Sequence, residues 1–331
     1  MTHAIRRAAL ATLLLAAPAH AGVDAAITDH ILPGFTEFSN AANALSDVAA
    51  QDCTAQAVAP AYQEAFDAWM GISHLTFGPL EDQGRALAIA FWPDKRGMVR
   101  STVARLVAEQ DAATATAEDF AEVSVAGRGL FALEYLLFDP DFAGYVAGNY
   151  SCALVQAVSA DLARMAAETR ADWSGYATTL QTAGEAGNTT YLTEKEAAQE
   201  LFTALVTGLE WTADQRLGRP MGSFDRPRPE RAEARRSGRS LRNVILSVEA
   251  LEDLARSLAN GPIPETEAAF ATALDLARDL DDPVLAGVAD PAGRLKVEIL
   301  QQHIKTAKTN AAAEIGPQFG VAAGFNATDG D

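Results

Sequence analysis

The chain has 331 residues, with 44 acidic against 26 basic side chains and a formal charge of −18. That charge repels nucleic-acid phosphates and anionic lipid, so neither is expected as a partner. Five histidines among 331 residues exclude a histidine-rich metal centre by count.

Arg6 and Arg7 precede an apolar run from Ala8 to Ala17 and then Ala19-His20-Ala21, the pattern of a cleaved secretory signal peptide. The run is too short to span a bilayer, so no membrane insertion is expected. Gly22 rather than cysteine follows the cleavage site, which removes the residue a lipid anchor needs. Losing residues 1–21 takes away Arg6 and Arg7 and no acid, so the charge moves from −18 to −20. Cys53 and Cys152 both survive export into an oxidising compartment, where a disulfide is the default expectation. Closing a loop of that size contributes up to about 4.7 kcal/mol in the chain-entropy model.

Apolar residues recur at three and four positions, as in Tyr62, Phe66, Trp69 and Met70 and then Val99, Val103 and Leu106, while strand-like alternation is nearly absent. The fold class read from this is all-α. Candidate helices cover 24–50, 54–74, 95–110, 127–138, 150–183, 193–217, 230–259, 266–280 and 292–314. The polar, glycine-rich stretch at 183–190 is the best linker, dividing the mature chain into halves at 22–185 and 190–331.

Only His30, His74 and His303 remain after export. There is no HExxH, no Glu-x-x-His, no GxSxG, no P-loop and no Rossmann fingerprint. His30 lies one turn before a proline, and His303 reads as a helix-face residue. His74, in SHLTFGP, is either a metal ligand or a buried imidazole bonded to a backbone carbonyl. In FWPDKR (91–96), Trp92, Asp94 and Arg96 can contact a carboxylate-bearing ligand such as a ferric chelate, or can start a helix with Asp94 at its positive end. Glu134 sits among apolar neighbours in LFALEYLLF, where a carboxylate must be metal-bound or be paired with a helix-end amide or with Arg96 or Arg128. Residues 216–242 hold nine arginines against three acids, a surface for a partner or an anion, or a loop that pairs with the acidic surface. Arg235, Arg239 and Arg242 are placed on one helix face there. Arg239 and Asn243 are further candidates to contact the chelate. The ending GVAAGFNATDGD reads as a structural tail, with Gly320 and Gly324 at turns and Phe325 as an anchor.

The segment GRGLFALEYLLFDP (127–140) resembles the signature of the imelysin family, also described as M75 peptidase-like or iron-regulated periplasmic proteins, in which GxHxxE opens an apolar helix. The glycine falls at Gly129 and the glutamate at Glu134, but Phe131 occupies the histidine position. WMGISHLTFGP (69–79), FWPDKR, RSGRSLRNVILSVEAL (236–251) and EIGPQFGVAAGFNATDGD (314–331) also look like family segments, best matching an imelysin-like branch of predicted periplasmic lipoproteins. The resemblance implies two packed four-helix bundles, with a site at their interface that binds iron, free or chelated. It implies a periplasmic role in iron acquisition beside other cell-envelope iron-uptake proteins. With Phe131 in place, a metal would need Glu134 together with an imidazole from elsewhere, His74 being the replacement, or oxygen ligands such as Asp94. A degenerate relative that docks other envelope proteins is the competing reading. Peptidase activity is not expected, since three separated histidines assemble no water-activating site.

Overall fold

A computed structural model describes residues 21–320; the signal-peptide reading of residues 1–20 and the tail beyond Gly320 lie outside the described residues. Among the described residues every regular element is a helix, the one β contact being an isolated bridge between Ser223 and Arg226. None of these helices is long and apolar enough to cross a membrane.

The first rod, α1, begins as Ala21–Ala25, widens into a π segment at Ala26–Ile31 and continues as Leu32–Gln51. Pro33 supplies no N–H to the helical ladder, and in the wide turn before it the Leu32 amide reaches back five residues to Ile27 O. After it come α2 (Ala55–Met70), α3 (Met98–Glu109), α4 (Gly129–Phe138) and α5 (Tyr150–Gln181). α1 packs against α2 and, along most of its length, against α5, while α4 bridges α2 and α5. This ring closes over Phe35 stacked on Trp173 at 4.9 Å and Tyr62 set edge-on to Phe66 at 5.8 Å. Burying each such side chain contributes about 1.5–3 kcal/mol. The expected disulfide is present, joining Cys53 at the end of α1 to Cys152 at the start of α5 with Cα atoms 5.3 Å apart.

The second ring is built from α6 (Glu194–Trp211), α7 (Ser240–Leu258), α8 (Pro264–Arg278) and α9 (Pro291–Glu314), packed α6 on α7, α7 on α8, α8 on α9 and α9 on α6. α6 runs directly into another π segment, Thr212–Leu217, where the Gly218 amide bonds Ala213 O and Pro220 follows. The two rings meet where α7 lies across the start of α1 and across α2. In each π segment the fifth residue is a buried polar side chain at this junction: His30 in one, Arg216 in the other.

The sequence places one helix over 230–259, but it begins only at Ser240. Residues 232–239 form a turn through Gly238, whose φ is +71°. Arg235 and Arg239 therefore precede the helix instead of sharing a face with Arg242. FWPDKR likewise does not open a helix directly. The helix starts at Met98, and Asp94 stands outside it, accepting from the Arg96, Met98 and Val99 amides.

Candidate functional site

The motif helix α4 starts at Gly129 for a steric reason. Its φ is +64°, and a Cβ there would collide with the carbonyl oxygens of Ala88 and Ile89. Nearly every residue that follows is buried because the helix is apolar on all sides. Glu134, 1 % exposed, is the exception in chemistry, and its Oε1 accepts from both the backbone N and the Oγ of Ser237 at 3.1 Å. Burial raises its pKa, while the Ser237 bonds and the Arg236 charge pull it back. Neither expected arginine partner reaches it: Arg128 grips Asp161 at 2.7 and 3.0 Å, and Arg96 is exposed. One turn before Glu134, Phe131 meets Phe66 edge-on at 5.6 Å, filling with ring contact the position of the motif imidazole. The donor set around Glu134 does not fit a resident metal ion: Ser237 holds Oε1, Phe131 offers no lone pair, and among the described residues no group of three His, Cys, Asp or Glu side chains forms there.

From Ser237 a chain of polar contacts crosses the junction. Arg236 bonds Asp139 and the Tyr135 hydroxyl, both at 2.7 Å. Arg239, 1 % exposed, lies 4.2 Å from the Phe66 ring centroid and bonds Asp67, the Gln63 side chain and, through Nε, Asn243 Oδ1. Arg242 closes on the same Asp67. Asn243 donates to Glu233 Oε2 at 3.0 Å, and that oxygen also accepts from Arg216 Nε at 2.8 Å. The remaining Arg216 nitrogens make longer contacts, to Thr212 Oγ1 at 3.2 Å and to Ser247 Oγ and Ser73 Oγ at 3.4 Å. Two arginines of the basic stretch, Arg216 and Arg239, are thus buried, and Arg236, Arg239 and Arg242 tie it to Asp139 and Asp67 of the first ring. Breaking one such buried pair costs about 3–5 kcal/mol.

At the far end of this chain stand His30 and His74, with their Nε2 atoms 3.0 Å apart. Burial lowers the pKa of His30 to about 4 and that of His74 well below the usual range, with the His30 and Arg216 charges adding to the second effect. Both imidazoles are neutral at pH 7. His74 Nδ1 is buried and has no hydrogen-bond partner. A bare lone pair is tolerated there better than an orphaned N–H, so hydrogen-bond accounting assigns the proton to His74 Nε2, donated to His30. His74 thus carries an unused acceptor at Nδ1, oriented by a second imidazole.

His74 also lines a cleft of about 240 Å³ between the two rings, with Trp69, Ser73, Leu87 and Trp92 on the first side and Trp211, Arg216 and Glu233 on the other. Trp92 and Trp211 meet edge-to-face at 6.2 Å. Trp211 also borders a shallow depression that holds Asp94, Lys95 and Arg96.

The sequence-derived candidates therefore fall in three places. Glu134, Phe131 and Gly129 lie on α4, with Arg239 and Asn243 inside the polar chain; His74 and Trp92 line the cleft; Asp94 and Arg96 sit on its outer flank. No contact joins Glu134 to His74. Among the described residues no group of three His, Cys, Asp or Glu side chains could hold a metal ion. His74 bonds an imidazole rather than a carbonyl, and two of the three separated histidines prove to be neighbours. Trp211, Arg216 and Glu233 were not anticipated; a proline shortly after each π segment is the sequence signal that could have marked the junction.

The family model for imelysin, Peptidase_M75, matches residues 31–311. No curated protein matches the chain. Among solved structures, an imelysin-like protein from Psychrobacter arcticum 273-4 superposes with a TM-score of 0.74 at 20% identity, over 93% of this chain and 97% of that one. A candidate iron-regulated protein A precursor from Parabacteroides distasonis ATCC 8503 gives 0.68 at 14% identity, over 90% and 95%. Such identities speak to the fold; with the family match covering most of its length, the chain belongs to the imelysin family.

Proposed function

We propose that this is a periplasmic binding protein of iron acquisition, exported by its cleaved signal peptide, which holds a small ferric chelate in the cleft between the two rings. The observation that carries this reading is a cleft between the two rings whose lining brings together His74, the buried Arg216 and the tryptophans Trp69, Trp92 and Trp211. The donor set favours a chelate over a bare ion. His74 Nε2 is engaged by His30 and its Nδ1 is buried, and the nearby Glu233 is engaged by Arg216 and Asn243, so the lining offers a bare ion no set of open ligands. A chelate brings its own oxygen ligands and asks the protein only for shape and hydrogen bonds. The iron-regulated description of one structural neighbour agrees with such a role.

A second reading, a docking module for other envelope proteins, is favoured by one observation: the Phe131–Phe66 contact closes the motif position with apolar packing. Isothermal titration of residues 22–331 with ferric citrate, ferrous ion and zinc ion tests the two. The chelate reading expects one-site binding of ferric citrate and none of the bare ions. The docking reading expects no binding of any of the three.

A further inference from the structure

The mouth of the cleft carries chemistry that the cleft itself does not use. Leu87 is 53% exposed, and Met98 and Trp211 are each 41% exposed. Singly, an exposed apolar side chain means little, but these three border one place. Leu87 and Trp211 line the cleft, while Met98 and Trp211 line the depression on its flank. Trp211 joins the two, and Trp92 meets it edge-to-face. The patch draws on both rings, since Trp211 ends α6 and Met98 opens α3.

Cations without counter-charges stand around this patch. Lys95 and Arg96, both exposed, border the depression. The Arg219 guanidinium lies 5.8 Å from the Trp92 ring centroid, outside the cleft lining. Burial and the charge of the exposed Arg231 lower the Arg219 pKa, as two neighbouring guanidinium groups require. Among the described residues none of these four cations forms an ion pair, although the chain has 44 acidic against 26 basic side chains to supply one. The acids nearest them in sequence are engaged elsewhere. Asp94 accepts from three backbone amides, Asp214 holds Lys305 at 2.8 Å, Glu230 faces Arg228 at 3.6 Å and Glu233 holds Arg216. A belt of four free cations around exposed apolar rings is the reverse of what so acidic a composition produces by default.

We infer that this belt is the docking surface for an acidic segment of a partner protein, with an apolar side chain of the segment seated on Trp211 and Met98 and its carboxylates meeting Lys95, Arg96, Arg219 and Arg231. Tryptophan, methionine and arginine are the residue types enriched at such surfaces, and an apolar centre with a polar surround is their usual anatomy. A protein segment fits the belt better than a membrane or a nucleic acid does. Those present their charge over an area as wide as the molecule and meet its net −18 as well. A short segment meets the belt alone, because charges beyond a Debye length of about 8–10 Å are screened. Since the belt crosses the mouth and touches both rings, a segment docked there covers the cleft. The inference adds a partner to the proposed function without depending on it, and it is tested with no iron present.

The test is selection of phage-displayed random dodecapeptides on immobilised residues 22–331, followed by fluorescence anisotropy with the most enriched peptide made synthetically. The Trp211→Ser, Arg96→Glu and Arg231→Glu variants are measured beside Arg170→Glu, an exposed arginine on α5 that changes the net charge equally, with circular dichroism to verify folding. Enriched peptides are expected to combine Asp or Glu with an aromatic or leucine side chain. Each of the three belt variants should weaken the synthetic peptide by about tenfold, Arg170→Glu should leave it unchanged, and binding should fall as salt is raised. No enrichment above background overturns the inference, as does enrichment without an excess of acid. Binding that survives all three folded belt variants, or that Arg170→Glu weakens as much as they do, also overturns it, since the peptide then sits elsewhere or senses only net charge. Vesicles of phosphatidylglycerol and phosphatidylcholine are the remaining arm: binding to them that the belt variants abolish makes the partner a membrane and overturns the protein reading. All of these outcomes leave the chelate reading untouched, because ferric citrate is absent throughout.

Discussion

Replacing His30 by glutamine changes how the protein responds to acid. The amide of glutamine can still accept from His74 Nε2, so the junction keeps its hydrogen bond while losing one titrating group. In the folded protein burial holds the His30 pKa at about 4, against an ordinary 6.5 in the unfolded chain. Between these values the unfolded state binds more protons, so the His30 contribution is fully present above about pH 6.5 and is lost as the pH falls toward 4. At about 1.4 kcal/mol per unit, the drop from 6.5 to about 4 amounts to about 3 kcal/mol. Glu134, whose pKa is raised by burial, acts in the opposite sense, but it does so in both proteins and cancels in the comparison. Urea denaturation followed by circular dichroism at pH 7, 5.5 and 4 reads the effect. Wild-type stability measured relative to His30→Gln should decline by about 3 kcal/mol from pH 7 to pH 4. Parallel pH curves for the two proteins, or a wild type that gains on the variant as acid is added, would refute the burial argument.

Gly129→Ala forces a side chain into the carbonyls of Ala88 and Ile89 from a left-handed backbone, so a loss of several kcal/mol, about 3 or more, is expected by thermal denaturation. Asp67→Asn leaves the buried Arg239 without its carboxylate and releases Arg242; a destabilisation of about 3 kcal/mol in urea is expected, and a change below about 1 would place the pair's worth at that of a surface bridge. Reduction of the Cys53–Cys152 bond, which closes a separation of 99 residues, should lower stability by about 2–4 kcal/mol, and the Cys53→Ser/Cys152→Ser double variant should be indifferent to reductant.

The helices were legible because periodicity and stop signals act locally. The expected 150–183 is observed as Tyr150–Gln181, and 292–314 as Pro291–Glu314. The start of α7 was misplaced because Glu230 to Arg236 consists mostly of good helix formers, whereas the turn is held by long-range contacts: Ser237 to Glu134, 103 positions away, and Arg236 to Asp139. The same limit applies at the junction. Spacing along one helix shows which residues share a face, but nothing local joins His30 to His74 across 44 positions, or Trp92 to Trp211. The sequence drew attention to Glu134 and Phe131 on α4, where the structure shows a carboxylate bonded to Ser237 and a ring packed on Phe66. The His30–His74 contact and the Trp92–Trp211 pair arise where the two helix rings meet.

In the proposed function the cleft, rather than the motif helix, is the place where iron is held. Anomalous diffraction at the iron edge, from crystals of residues 22–331 grown with ferric citrate, examines that directly. A single peak between the rings, beside His74 and Trp211, is the predicted result. A peak against Glu134 and Ser237 would contradict it.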